Sequence, residues 1–244
     1  MIRKATLYAW AGFMYVWTLL SVVALLYFPV YLDASATRLL PRGPMPWGAV
    51  ALAAAGGPLC LAMVLESTRV RAGALYAPFR ATVVNLWLWL TFTTWQPTGR
   101  VVWDAGLAWA RPLYMLYWIA AAVAAYALSL AGGGLGDVSG CGPILGYLRN
   151  APGSPRKFDA PSLYRYSRHP FCTYLIVSLW LTPLMTADRL LWAALGSIHA
   201  VGIAGAEERR MERVFGGEYR AYRSRVPKWL PIRYKGEEGD SDAA

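Results

Sequence analysis

Long apolar runs separated by short polar links dominate the chain. Thr6 to Leu32 is apolar throughout, with Trp10, Tyr15, Trp17, Tyr27 and Tyr31 spread along it. It exceeds the roughly 20 residues a helix needs to cross a bilayer. Trp47 to Leu65 predicts a second span, kinked at Gly56-Gly57-Pro58. Ala81 to Trp95 predicts a short third, and Pro112 to Leu130 a fourth. Alanines at 120/124 and 121/125 in the fourth would let a neighbouring backbone approach closely. Residues 66–80 read as a polar loop, 96–110 as a polar connection, and the Gly/Pro-rich 132–161 as an irregular loop.

Two further apolar runs, Phe171 to Leu181 and Leu190 to Ala206, flank a joint with Pro183 as breaker and Thr186 as N-cap. Each run is short for a full crossing, so a hairpin that enters and leaves on one side is expected. Met211, Phe215, Tyr219, Tyr222 and Val226 then recur at helical spacing. They predict an amphipathic surface helix, bent at Gly216-Gly217. The fold class expected is an all-α polytopic membrane helical bundle: four spans, a C-terminal helical hairpin and a cytoplasmic amphipathic helix. One domain is expected over 1–235, with four spans in 1–131 and the cofactor-binding loop, hairpin and C-terminal helix in 132–235. The acidic tail 236–244 is expected to be disordered.

Composition supports the membrane reading. The chain is 57% hydrophobic and only 16% charged, where soluble domains carry about 25% charged residues. Its net charge of +10 is topological, because no nucleic-acid motif accompanies it. In the topology above, 19 of the 24 Lys and Arg fall on the side holding both termini. The positive-inside rule makes that side cytoplasmic, and the expected location is a bacterial inner membrane. Met1-Ile2-Arg3-Lys4 does not open a signal peptide, since the apolar run is too long and lacks an Ala-x-Ala site. Cys60, Cys141 and Cys172 are scattered without CxxC spacing, so neither a disulfide framework nor a metal site is expected.

Arg168-His169-Pro170 stands just before the hairpin and Glu207-Glu208 just after it. A hairpin brings both to one membrane face. Carboxylates gain nothing topologically there, and two adjacent ones call for cations as partners. Such a polar set at a membrane interface marks a site. Other polar residues have plainer readings: Arg165 and Glu66 as flanks of membrane helices, His199 as a packed histidine, Cys172 as a small apolar residue. The Phe215/Tyr219/Tyr222 stripe is expected to fold partly over the site.

Leu163-Tyr164-Arg165-Tyr166-Ser167-Arg168-His169-Pro170, the hairpin, Glu207-Glu208-Arg209, then Phe215-Gly216 with Tyr219 and Tyr222 resemble the integral-membrane methyltransferase superfamily. That group includes isoprenylcysteine carboxyl methyltransferases, phospholipid methyltransferases and NnrU-like proteins. Within it the likeness is greatest to the methanethiol S-methyltransferases. Further echoes are Phe158, Pro161-Ser162, Trp180 to Thr186, Val226-Pro227, Trp95-Gln96-Pro97 and Val101 to Asp104. The resemblance implies S-adenosyl-L-methionine as methyl donor, with Tyr164, Arg168, His169, Pro170, Glu207, Glu208, Tyr219 and Tyr222 forming its pocket. It implies a catalytic set of Glu208, His169 and Glu66, with the acceptor near Cys172, Tyr174 and Trp180. The acceptor implied is a small thiol, and Glu66, Glu208 or a water would take its proton.

Two departures bear on the acceptor: Tyr174 stands where the family usually has Gly, and Glu66 where methanethiol-methylating relatives carry His. Two alternatives go with the resemblance: a lipid or isoprenylcysteine carboxylate acceptor, and an NnrU-like haem-associated protein. The second would need His169 and His199, the two histidines of the chain, as haem ligands.

Overall fold

The computed structural model describes residues 2–34, 43–64, 76–130, 134–149 and 158–230. Glu66 and the tail 236–244 lie outside them. The described residues hold nine α-helices, one 3-10 turn and two short strands, in the order α1 (Ile2–Ala34), α2 (Trp47–Val64), α3 (Tyr76–Thr94), β1 (Val101–Asp104), α4 (Leu107–Leu130), α5 (Gly134–Val138), α6 (Cys141–Leu148), the 3-10 turn (Ser162–Arg165), α7 (Pro170–Trp180), β2 (Leu184–Thr186), α8 (Ala187–Phe215) and α9 (Gly217–Arg225). The helical membrane bundle expected from the apolar runs is present. Lys4–Ala34, Leu107–Leu130 and Ala187–Phe215 are long and apolar enough to cross a membrane, while Trp47–Cys60 and α7 are shorter apolar stretches.

The hairpin is asymmetric. Its first arm, α7, has 11 residues with Pro170 at the first position, as expected. Its second arm does not stop near Ala206 but runs for 29 residues, through the glutamate pair to Phe215. No breaker interrupts that run until Gly216, whose φ of 52° only glycine adopts freely. The expected amphipathic helix is therefore divided: Met211 and Phe215 complete α8, and Tyr219 and Tyr222 lie on α9. Thr186 is the N-cap of α8, its hydroxyl accepting the Arg189 N–H at 3.2 Å.

Two connections, one read as a polar link and one as an irregular loop, carry regular structure. The 96–110 segment contains β1, which pairs antiparallel with β2 in the hairpin joint (Val101 opposite Thr186, Asp104 opposite Leu184). The 132–161 segment holds α5 and α6. Ile144 and Leu148 of α6 are buried against Ala11 of α1, which gives this short helix an apolar seat.

Two packing layers fix the site-bearing end. Ala120, Ala121, Ala124 and Ala127 of α4 are buried on a helix that packs extensively along α7, as small residues permit. Cys172 of α7 packs against Ala200 and Ala204 of α8. Toward the other end Phe28, Leu32, Ala49, Ala53, Trp95, Leu179, Trp192 and Ala193 form the main core.

Candidate functional site

Folding α8 back along α7 brings the glutamates to the Arg-His-Pro turn. Arg168 Nη1 lies 2.9 Å from Glu208 Oε1, and His169 Nε2 lies 3.3 Å from the same oxygen. All three side chains are only 10–12% exposed. Glu207 turns elsewhere, holding Arg210 in a two-pronged pair at 2.9 and 2.5 Å.

The turn is held in place by the segment that follows α9. Arg168 N–H donates to Pro227 O at 3.0 Å, and His169 N–H to Lys228 O at 3.3 Å. The Thr173 hydroxyl adds a bond to Trp229 O at 3.4 Å. This strap delivers a third basic residue, with Lys228 Nζ 3.4 Å from Glu208 Oε2 and 5.3 Å over the Trp229 ring. Lys228 escaped the sequence reading because it sits among basic residues that look like membrane flanks. Its signal lay in the adjoining Val226-Pro227, whose carbonyl orders the turn.

An aromatic wall closes the other side. The Tyr222 hydroxyl donates to Tyr164 O at 2.6 Å, across 58 residues of sequence. Phe158 stacks near Phe215, Tyr219 and Tyr222, with ring centroids 5.5, 5.8 and 5.0 Å away. Burial pushes the Tyr164 hydroxyl up to about 12 and raises those of Tyr219 and Tyr222. All three hydroxyls are neutral at physiological pH.

Burial also lowers the pKa of His169 below its ordinary value. The Glu208 carboxylate opposes that shift, and the Lys228 and Arg168 cations add to it. The ring is therefore neutral near pH 7. Facing a carboxylate, it carries its proton on Nε2 and leaves Nδ1 with a lone pair.

The cluster is short of one anion. Arg168 and Lys228 bring two positive charges to one carboxylate. The buried Arg168 Nε has no hydrogen-bond partner among the described residues, and Nη1, though close to Glu208, is not aligned as a hydrogen bond. A buried guanidinium nitrogen left unbonded is costly, so the residues present suit a ligand that carries a carboxylate. The flanking aromatic faces suit a sulfonium cation. An amino-acid-bearing sulfonium such as S-adenosylmethionine fits both halves.

Arg168, His169, Glu208, Tyr164, Tyr219 and Tyr222 are thus brought together, with Pro170 starting α7 beneath them. Glu207 borders the cluster from its pair with Arg210. Tyr174 is half-buried one turn into α7, and Cys172 is buried in the α7–α8 contact. Trp180 is not brought to the cluster. It lies ten residues along α7, about 15 Å away, and its indole donates to Ser197 Oγ at 3.1 Å.

No family model matches the chain, and no solved structure matches it. Curated proteins do. A methanethiol S-methyltransferase of Bradyrhizobium diazoefficiens is 33% identical over 154 residues, 61% of this chain and 52% of that protein. The chain is similar to the methanethiol S-methyltransferases. One from Pseudomonas deceptionensis is 30% identical over 163 residues, 66% of this chain and 59% of the relative. One from Crocosphaera subtropica is 28% identical over 152 residues, 61% and 58% of the two chains. The chain thus spans little more than half the length of the methanethiol S-methyltransferases it matches.

Proposed function

We propose that the chain is a membrane methyltransferase that moves the methyl group of S-adenosylmethionine to a small thiol, with its site at the cytoplasmic membrane face. The observation that carries this reading is the buried Arg168–Glu208–His169 cluster with Lys228 and its unbonded Arg168 Nε. The similarity to methanethiol S-methyltransferases supports the thiol as acceptor. In this reading the described helices belong to a bundle of four spans and a hairpin, with both termini cytoplasmic.

The residues divide the work by chemistry. Arg168 and Lys228 hold the donor's carboxylate, and Glu208, already fixed by them, accepts from its ammonium group. Tyr219, Tyr222 and Phe158 offer ring faces to the sulfonium and its adenosine. Bound there, S-adenosylmethionine supplies an electrophilic methyl group. The thiolate is the nucleophile, so an acceptor must lose its proton, and in this reading the Nδ1 lone pair of His169 takes it. Glu208 holds the imidazole in that tautomer through Nε2. In-line methyl transfer needs positioning more than covalent help; the strap over Arg168 and His169 supplies it and keeps out water.

The test is transfer of a tritiated methyl group from S-adenosylmethionine to a panel of alkanethiols, prenylcysteines and phospholipid amines. Thiols should be labelled and the others not. Glu208→Ala should lose binding of S-adenosylhomocysteine at least 10-fold. Unchanged binding in that variant would sink the site assignment, and labelling of prenylcysteine alone would move the reaction to a lipid acceptor.

A further inference from the structure

The strap holds the Arg168–His169 turn through its main chain. Pro227 O accepts from the Arg168 N–H at 3.0 Å, and Lys228 O accepts from the His169 N–H at 3.3 Å. The Ser167 hydroxyl donates to the same Lys228 O at 3.3 Å, and the Thr173 hydroxyl to Trp229 O at 3.4 Å. None of these bonds uses the side chain at 229, so they leave that residue's identity open. The indole that stands there has contacts of its own.

Trp229 packs against the ring of His169, with centroids 5.9 Å apart and planes inclined by 45°. That separation lies within the range over which aromatic rings attract one another. The indole is anchored twice. It packs with Phe171 and Ile176 of α7 on Cys172 and on Ala200 and Ala204 of α8, where alanines four apart give one helix face a shallow seat. The Lys228 ammonium lies 5.3 Å over its ring, within cation–π reach. Trp229 is therefore a fixed surface, and the imidazole rests against it.

His169 needs such a surface. Its ring bonds to Glu208 Oε1 through Nε2 at 3.3 Å. One bond from a ring nitrogen leaves the plane free to turn about that axis, and Nδ1 turns with it. The indole removes that freedom. It also covers the imidazole with apolar surface, which disfavours the imidazolium form, and burial is the first cause of the lowered His169 pKa. The charged groups around the ring are Arg168 on its own turn, Glu208 on α8 and Lys228 on the strap. Glu207, one residue earlier on α8, is engaged by Arg210.

We propose that Trp229 is a positioning residue for the base, its indole locking the His169 ring in the plane that keeps Nε2 on Glu208 and Nδ1 free for the acceptor. This deepens the function proposed above and rests on it. Lys228 keeps its pair with Glu208 whatever side chain stands at 229, so donor binding does not depend on the indole.

Trp229→Leu tests this, because it removes the ring and leaves the strap's carbonyl bonds in place. Full-length wild type and variant would be compared in detergent for S-adenosylhomocysteine affinity, thermal midpoint, and kcat/KM for an alkanethiol against pH. Affinity should be unchanged. On the plateau above the acid limb, kcat/KM should fall about 10-fold or more. The acid limb itself should move to higher pH, because a less covered imidazole protonates more easily. Trp229→Phe, which restores an aromatic face, should recover most of both effects. In a His169→Gln background Trp229→Leu should change turnover less than about 2-fold, since a residue that acts through the imidazole has nothing left to position. An acid limb that stays in place would overturn the role, and so would an equal further loss in the His169→Gln background. Trp229→Met, whose flexible chain fills irregular space, stands in for the leucine variant should that one not fold. Loss of folded protein in both would overturn the role too, by making residue 229 a support of the fold alone. A wild type that methylates no thiol would instead sink the function on which the role rests.

Discussion

His169 ties the chemistry to pH. Its folded pKa is lowered, first by burial, from the ordinary 6.5. The fold therefore favours the neutral ring, and the unfolded chain binds more protons between the two pKa values. Stability from this group is full above about 6.5 and is lost as pH falls toward the folded pKa. Activity that needs a free Nδ1 should hold through that window and fall as pH drops through the lowered folded pKa. His169→Gln, which keeps a donor to Glu208, should flatten the acid side of the thermal-stability profile and cut methyl transfer at least 100-fold at every pH. An unchanged acid limb in the variant would mean that another group titrates. Arg168, His169 and Glu208 could be read as a site from sequence because carboxylates at a cationic membrane flank have no topological use. Lys228 could not, since a lysine there looks like any other flank, and only the strap's backbone bonds to Arg168 and His169 carry it in. Trp180 misled for the opposite reason. It adjoins a recognisable stretch, but α7 carries it to the far end of the helix.

At the scale of elements, the proline inside α2 explains the histidine that the site leaves unused. Pro58 has no N–H, so the Ala54 carbonyl four residues earlier loses its helical partner. His199 of α8 reaches that gap, its Nε2 accepting from the Gly57 N–H at 3.1 Å and lying 3.3 Å from Ala54 O. That bond from the Gly57 N–H joins α2 to α8. Its closeness requires glycine, because a Cβ on Gly57 would meet the His199 ring at 2.4 Å and one on Gly56 would meet Trp87 at 1.9 Å. Gly57→Ala should therefore lower stability by about 1–3 kcal/mol, despite alanine's better helix propensity. Combining it with His199→Ala should recover part of that loss, a non-additivity expected of touching residues and measurable by thermal unfolding in detergent. The histidine could be read as a packing residue, but not that it meets the Gly-Gly-Pro stretch of α2. The β1–β2 ladder was illegible for a related reason. Four residues opposite three, on segments some 80 positions apart, leave no local periodicity to read. The helices α5 and α6 hid in a glycine-rich stretch because their stability comes from seating on α1 rather than from propensity.

Across the whole molecule, polar groups gather at both ends of the bundle, and only one end does chemistry in this reading. At the other, Arg189 is fully buried and pairs through Nη1 with Asp33 of α1. It also donates to the carbonyls of Leu179 and Leu181 and lies over the Tyr117 ring. Asp33 further accepts from Thr182 at 3.1 Å and Tyr114 at 3.2 Å. The neighbouring Asp188 accepts from Trp95 and from the backbone and hydroxyl of Thr98. These bonds tie the hairpin joint and the β ladder to α1, α3 and α4, and so fix where α7 and α8 begin their course toward the other end. Arg189 and Glu208 are nineteen residues apart on one helix, about 28 Å at 1.5 Å per residue. The network therefore acts on the site only by holding the helices. Asp33→Asn should leave a buried guanidinium without its counter-charge and cost about 3–5 kcal/mol. Yield and thermal midpoint should drop, while the folded fraction binds S-adenosylhomocysteine with wild-type affinity. Replacing both partners, Asp33→Asn with Arg189→Met, should recover stability that the single change loses, because no unpaired charge remains. A fall in affinity that outlasts the recovered stability would show that the two ends are coupled through more than helix placement.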